Sequence, residues 1–476
     1  MFATPDFTPA IPELFLLGAA CLVLIVDVYV PERMRLFTFQ LAQAALVITA
    51  ALCLGLFPRE PIYTFSGTFV SDAMSTVLKL FILLVSYFAF FYAKIYLRRR
   101  DLFKGEYFVL GLFAVLGMMV LVSAHSLLTV YLGLELLSLS LYAMVALDRE
   151  SPVACEAAMK YFVLGALASG MLLYGMSLVY GSTGSLDLAI IHERISANPE
   201  RDLVLIVGLV FVIVGIAFKL GAVPFHMWVP DVYEGAPTSV TLFIGTAPKI
   251  AAFGMLMRLL VDGLPALQTD WTGMLVILAL LSMAAGNIIA IAQSNLKRML
   301  AYSTIAHVGY LFLGVIAGTP GGYAASMFYI IVYTLMSLGG FAMIIVLGHA
   351  GFEADRLEDF RGLNERNPWF AFLMLILMLS MAGVPPFLGF WAKWSVLREV
   401  VAADMTWLAV VAVAFAVIGL FYYLRVIRLM YFDRPEDPAP VQTGPEMRVM
   451  ISTNALAILA LGVYPGGLLA LCASAL

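Results

Sequence analysis

The sequence predicts an all-α, polytopic membrane protein of about 14 transmembrane helices, with two inverted five-helix repeats and breaks in helices 7 and 12. Three observations point there: an apolar composition, the recurrence of membrane-length apolar runs, and lysines and prolines placed inside several of those runs. The 476 residues are 63% hydrophobic and only 12% charged, whereas soluble domains average roughly 45–50% apolar and about 25% charged. The mean hydropathy of +0.98 says the same.

Apolar runs of about 20 residues can each cross a hydrocarbon core of about 30 Å. They are predicted at 9–30, 36–57, 70–97, 107–124, 126–147, 152–180, 203–229, 238–260, 270–293, 299–317, 322–350, 369–399, 405–432 and 447–472. No basic region precedes the first run, so it reads as a retained span rather than a cleaved signal peptide. The formal charge of −4 carries no signal for nucleic acid or an anionic surface. Cys21, Cys53, Cys155 and Cys472 are far apart and lack the CxxC spacing of an iron–sulfur or zinc site. There is no GxGxxG, no GxxxxGK(S/T) and no soluble stretch long enough for a nucleotide fold. Redox cofactors are therefore expected in other chains.

Sidedness follows from the basic residues. Loops after odd-numbered spans hold Arg33, Arg35, Arg98, Arg99, Arg100, Lys104, Arg149, Lys297, Arg298, Arg356, Arg361, Arg366, Arg425, Arg428, Arg434 and Arg448. Loops after even-numbered spans hold only Arg59, Arg194, Arg201, Arg258 and Arg398. Basic residues mark the cytoplasmic side, so both termini are expected on the outer, periplasmic side.

The other six of the 27 basic residues, Lys79, Lys94, Lys160, Lys219, Lys249 and Lys393, lie inside spans. A charge at the bilayer centre costs about 2.5–3.5 kcal/mol on insertion scales, so such groups face a bundle interior, a partner or water. Lys94 is close enough to Arg98 to snorkel. Lys79 is deeper, and both pairing with a neighbouring helix and a part in transport are open. Glu135 is the only acid of its span and falls about 14 Å from the outer end at about 1.5 Å per residue. Lys219 and Lys249 lie near the middle of spans 7 and 8, and Lys160 is one turn from Glu156. A packing ion pair is the bland reading of Glu135, and membership of a row of charges is the functional one. Desolvation disfavours the charged form of a lysine or glutamate and a nearby opposite charge restores it. Moving a partner would then move a proton.

In FKLGAVPFHMW, Gly221 and Pro224 interrupt span 7 just after Lys219, and Pro224 frees the carbonyl of Leu220. In MAGVPPFLGFWAKW, Pro385 and Pro386 free those of Met381 and Ala382, just before Lys393. Irregular backbone at this depth must be satisfied by protein or water. One proline kink would say little. Two say more, because the spans run in opposite directions with lysine before the break in one and after it in the other. That is the mark of an inverted repeat around a midplane site. It divides the chain into 1–104 (helices 1–3), 105–262 (first repeat, helices 4–8), 263–432 (inverted second repeat, helices 9–13) and 433–476 (helix 14). Pro248, directly before Lys249, is expected to break span 8, freeing the carbonyl of Ile244 and leaving room for water.

Histidine titrates near neutrality. His226 follows the first break and His307 lies in AYSTIAHVGY. For each, a satisfied buried histidine and a proton relay are both open. His125, His192 and His349 read as helix-edge, loop or interface residues.

With these residues in view, the chain resembles the antiporter-like subunits of bacterial NADH:quinone oxidoreductase, respiratory complex I, a family shared with Mrp-type cation/proton antiporter subunits. The broad resemblance rests on Glu135 in its span, FKLGAVPFHMWVPDVYEGAPT at 218–238, the proline–lysine of span 8 and KRMLAYSTIAHVGY at 297–310. The narrower one, to the N type, rests on KYFVLGALASGMLLYGMSLVYGSTG at 160–184, DVYEGAPT at 231–238, APKIAAF at 247–253 and GVPPFLGFWAKW at 383–394. Lysine rather than glutamate at 393 sets it apart from the M type, and no long lateral helix of the L type follows span 14.

The resemblance implies a 14-helix fold with discontinuous helices 7 and 12, and proton translocation coupled to electron transfer from NADH to quinone. It implies that Glu135 and Lys219 form an ion pair whose separation tunes the lysine, and that Lys249 is the central proton site. Lys393 would deliver protons outward, with Lys160, His226 and His307 as linking groups. It implies no cofactor or metal on this chain, with NADH, FMN, iron–sulfur clusters and quinone in partner subunits. The partners would be the other membrane and peripheral subunits of complex I, in a bacterial inner membrane. Buried groups that are mostly lysines favour H⁺ over Na⁺, which wants several oxygen ligands. Two rival readings are an Mrp-type antiporter subunit and a membrane scaffold without a proton path.

Overall fold

Runs of this length satisfy their own backbone in a bilayer only as helices, and every predicted run is helical. The computed structural model describes residues 4–197, 202–349, 352–435, 439–441 and 443–476, so Arg201 lies outside the described residues. In chain order come α1 (Ile11–Tyr29), α2 (Leu36–Gly55), a two-stranded antiparallel hairpin of β1 (Ile62–Thr64) and β2 (Phe69–Ser71), α3 (Ala73–Arg99), α4 (Glu106–Val122), α5 (Leu127–Val145) and α6 (Pro152–Thr183). Next are α7 (Leu188–Ala197), α8 (Leu203–Leu220), α9 (Trp228–Gly235), α10 (Thr238–Ile244), α11 (Ala247–Leu256), α12 (Gln268–Ile291), α13 (Leu296–Ile316) and α14 (Pro320–Leu347). The chain closes with α15 (Leu363–Arg366), α16 (Pro368–Ala382), α17 (Leu388–Ala402), α18 (Thr406–Phe432), α19 (Pro445–Val463) and α20 (Gly466–Ser474). Among the described residues, twelve helical stretches are long and apolar enough to cross a membrane, and α4 and α16 are shorter apolar helices.

The breaks at α8–α9 and α16–α17 fall where the sequence predicts them. Span 8 is broken as well, next to Pro248, where a break is expected. α10 ends at Ile244, Thr246 adopts φ −123° and ψ −99°, α11 begins at Ala247, and Met257–Gly263 is wound as a π-helix. Pro248 therefore occupies a first helical turn, where its missing N–H costs nothing. The last run divides as well, at Tyr464 and Pro465.

Loop contacts sort by parity. Loops after even-numbered runs meet one another: Val70 N donates to Ser123 O (2.8 Å), His125 N to Thr68 O (2.9 Å), and Arg258 pairs with Asp72 (2.8 Å). On the odd-numbered side Arg35 donates to Phe103 O, Arg100 pairs with Glu353 (3.5 Å), and Arg298 pairs with Asp231 (2.9 Å) and Glu234 (2.8 Å). Lys94 reaches this side and pairs with Glu446 at 2.7 Å. Lys79 has its partner on the first helix, Glu13, at 2.6 Å, with both side chains buried.

The same local devices recur on opposite sides. Ser126 caps α5 and forms a bridge to Asp187, with Leu127 N donating to Leu186 O and Leu188 N to His125 O. Asn295 caps α13 and forms a bridge to Arg356, with Leu296 N donating to Asp355 O and Leu357 N to Ser294 O. α4 and α5 close on Gly117 and Gly133, where an added Cβ would stand 2.6 Å from Leu137 N and 2.8 Å from Leu121 N. α12 and α13 close in the same way on Gly286 and Gly309. Close backbone approach at small residues is how helices associate where lipid is as apolar as a side chain.

Candidate functional site

α8 stops because Gly221 turns left-handed (φ +83°), which leaves the last carbonyls of the helix without the usual N–H partners. Lys249, in the first turn of α11 and 1% exposed, donates from Nζ to Leu220 O at 2.7 Å. This is the carbonyl that the position of Pro224 marks as free. The same ammonium lies 5.2 Å from the ring centroid of Trp228, whose indole N–H donates to Phe218 O. At the second break Gly383 (φ +87°) ends α16, and Lys393 donates to Ala382 O (2.8 Å) and Met381 O (3.2 Å), again the carbonyls the prolines mark. Lys393 Nζ lies 5.2 Å from the Tyr310 centroid. A helix C-terminus carries about half a negative charge, so both ammonium groups sit where the backbone field favours them.

Lys219 and Glu135 are each held by a serine rather than by each other. Lys219 donates to Ser138 Oγ at 2.9 Å, and Ser138 donates to Leu134 O. Glu135 accepts from Ser169 Oγ on α6. Among the described residues the two charges form no direct ion pair. Ser138, Ser169 and Lys219 line one partly open cavity of about 20 Å³, and a water needs about 10–15 Å³. That leaves room for one water beside Lys219.

His307 is buried on α13. Its Nδ1 shares a hydrogen bond with Tyr329 Oη (2.6 Å) and its Nε2 with Tyr423 Oη (3.1 Å), which also bonds Ser303 (2.5 Å). Tyr333 packs against the imidazole at a tilt, with ring centroids 4.9 Å apart, and donates to Thr304 at 2.6 Å. His226 lies half-buried in the first break, and its Nδ1 is buried without a hydrogen-bond partner among the described residues. Lys160 is not gathered with the others. It is exposed, paired with Glu156 (2.9 Å) and Asp231 (2.8 Å) beside Arg298 on the odd-numbered side.

Sequence reading missed the hydroxyl groups. Ser138 stands one turn from Glu135 and Tyr310 one turn from His307, a spacing that places each pair on one helix face. Ser169 and the tyrosines of α14 and α18 come from other helices and leave no such local trace.

Fold and site together define an all-helical membrane protein of the antiporter-like class, with cationic groups seated on broken helices. Residues 124–419 match the family described as NADH:quinone oxidoreductase/Mrp antiporter, transmembrane. NADH-quinone oxidoreductase subunit N of Thioalkalivibrio sulfidiphilus is 58% identical over 476 residues, covering 100% of this chain and 99% of that protein. A chain of Thermus thermophilus respiratory complex I, solved with bound aureothin, superposes with a TM-score of 0.83 at 33% identity over 97% of this chain and 100% of its own. A chain of the Mrp complex from Dietzia sp. DQ12-45-1b shares the fold, with a TM-score of 0.86 at 21% identity over 98% of this chain and 96% of its own. The chain belongs to the NADH-quinone oxidoreductase subunit N family.

Proposed function

We propose that Lys219, Lys249, His307 and Lys393, with Glu135, carry protons across the bilayer as the membrane arm of NADH:quinone oxidoreductase turns over. Membership in the subunit N family makes the chain a proton-translocating membrane subunit of that oxidoreductase, the bacterial respiratory complex I, whose other subunits are its partners. One observation carries the assignment of residues. Two lysines, Lys249 buried and Lys393 half-buried, seat their ammonium groups on the carbonyls released at two helix breaks, with no acid paired to either among the described residues. A structural scaffold would pair each buried charge, as Glu13 does for Lys79. An unpaired buried amine instead holds its proton by a margin that a moved neighbour can reverse.

The architecture in this reading is fourteen crossings, with helices 4–8 and 9–13 as inverted repeats. It is supported by the parity of the loop contacts, the twin caps at Ser126 and Asn295 on opposite sides, and the twin glycine closures. Both termini lie on the outer side, supported by the excess of arginine and lysine in the odd loops. This chain binds no redox cofactor; NADH, FMN, iron–sulfur clusters and quinone act in partner subunits. Supporting this, the four cysteines stand on four separate helices. Lys160 and His226 serve as groups near the path rather than on its buried axis.

The test is NADH-driven, uncoupler-sensitive proton release in membranes carrying Lys249→Ala, with assembly checked in the same sample. Normal assembly with lost release is expected. Undiminished release would leave Lys249 as structure and overturn the assignment.

A further inference from the structure

Between the Lys249 site and the His307 cluster stands one buried hydroxyl without a well-formed hydrogen bond. Tyr233 lies on α9, fully buried, and its Oη has no hydrogen-bond partner among the described residues. Buried polar groups are nearly always paired, so an unpaired one asks for a reason. Its ring packs against Trp228 (centroids 6.3 Å apart), the same indole that carries Lys249 on its face, and against Phe341 (5.7 Å). On the other side the hydroxyl comes near Tyr333 and faces the Thr304 hydroxyl in a contact too loose to make a full hydrogen bond. Those two are hydrogen-bonded at 2.6 Å and border His307, whose own neighbour Tyr310 underlies Lys393. α13 presents Thr304 and His307 one turn apart on a single face.

We propose that the Tyr233 hydroxyl is a proton relay joining the Lys249 half of the molecule to the Thr304–His307–Lys393 half. Its oxygen accepts a proton from the Lys249 side as its own O–H proton passes to the Thr304–Tyr333 pair. One O–H bond forms as another breaks, and one proton moves with no charge left on the ring. Two hydroxyls and an imidazole then continue the path to Lys393. This rests on the reading of Lys249 and Lys393 as proton sites.

Tyr233→Phe decides it, because the ring contacts remain and the deleted oxygen holds no well-formed hydrogen bond. A structural role predicts no change. The relay predicts that proton release per assembled complex falls to the level of Lys249→Ala measured in the same membranes. Release at the parental level in Tyr233→Phe, with loss in Lys249→Ala, overturns the relay and leaves the lysine path standing. Parental release in both variants overturns the path and the relay together. Normalising to assembled complex keeps the result decisive if Tyr233→Phe lowers assembly.

Discussion

At the first break the ammonium that meets the loose carbonyl comes from the next span, Lys249 on α11 to Leu220. At the second it comes from the resumed half of the same span, Lys393 on α17 to Met381 and Ala382. The backbone of the two halves is otherwise alike: a left-handed glycine two residues after Lys219 in one and after Met381 in the other, and capped helices α5 and α13 at matching places. Side chains are not alike. Counted from their caps, Ser138 of α5 matches His307 of α13, and Glu135 matches Thr304. The fold repeats the broken helix, and each half then distributes charge in its own way. The first half keeps a carboxylate and two lysines, with Ser169 on the carboxylate and Ser138 on Lys219. The second keeps one lysine and a histidine enclosed by tyrosines.

The sharpest way to break this comparison is to remove each capping ammonium in turn. Lys249→Ala and Lys393→Ala are both expected to abolish this subunit's proton release while the complex assembles, since a loose carbonyl can still be met by water entering the break. If only one variant loses release, the halves differ in function as well as in wiring.

The buried pair outside both halves gives the contrast. Lys79→Met strands the Glu13 carboxylate, and breaking a buried pair in this way costs about 3–5 kcal/mol. The expected outcome is less assembled complex on native gels, with normal proton release per complex formed. Loss of release in fully assembled complex would move Lys79 from structure into the path.

The glycines sharpen the backbone side. Gly221→Ala and Gly383→Ala force a Cβ into the left-handed region, worth about 1–2 kcal/mol. They also crowd Val229 in the first half, at 2.7 Å, and Lys393 Cδ in the second, at 2.8 Å. Both should lower thermal stability, and Gly383→Ala should in addition lower proton release because its contact is the lysine itself. Equal effects on release would remove that distinction.

The smallest effect is expected at Lys160. Its exposed pairs with Glu156 and Asp231 belong to a class worth about 0–1 kcal/mol. Lys160→Gln should change melting of the complex little and leave proton release near parental, and a large loss of release would return Lys160 to the buried path.

Much of this was legible in the sequence for local reasons. Apolar length set the crossings, and the rule that proline removes a donor four residues on marked Leu220, Met381 and Ala382 before any fold was known. Pro248 marked a break in span 8 but not its place at Thr246, because a proline reads equally as a kink or as the opening turn of a new helix. Glu13 was missed as the partner of Lys79 because the pair joins helices far apart in the chain.

The sequence by itself determined that the chain spans a membrane, that it carries amines in its interior, and which carbonyls lose their partners. Hydropathy and backbone chemistry act within a few residues, so those facts need no folding to read. Tertiary structure alone decided which lysine answers which carbonyl, that separate serines hold Glu135 and Lys219, and that Tyr233 lies between the halves. Those are contacts between helices, and in a bilayer close packing rather than hydrophobicity selects them.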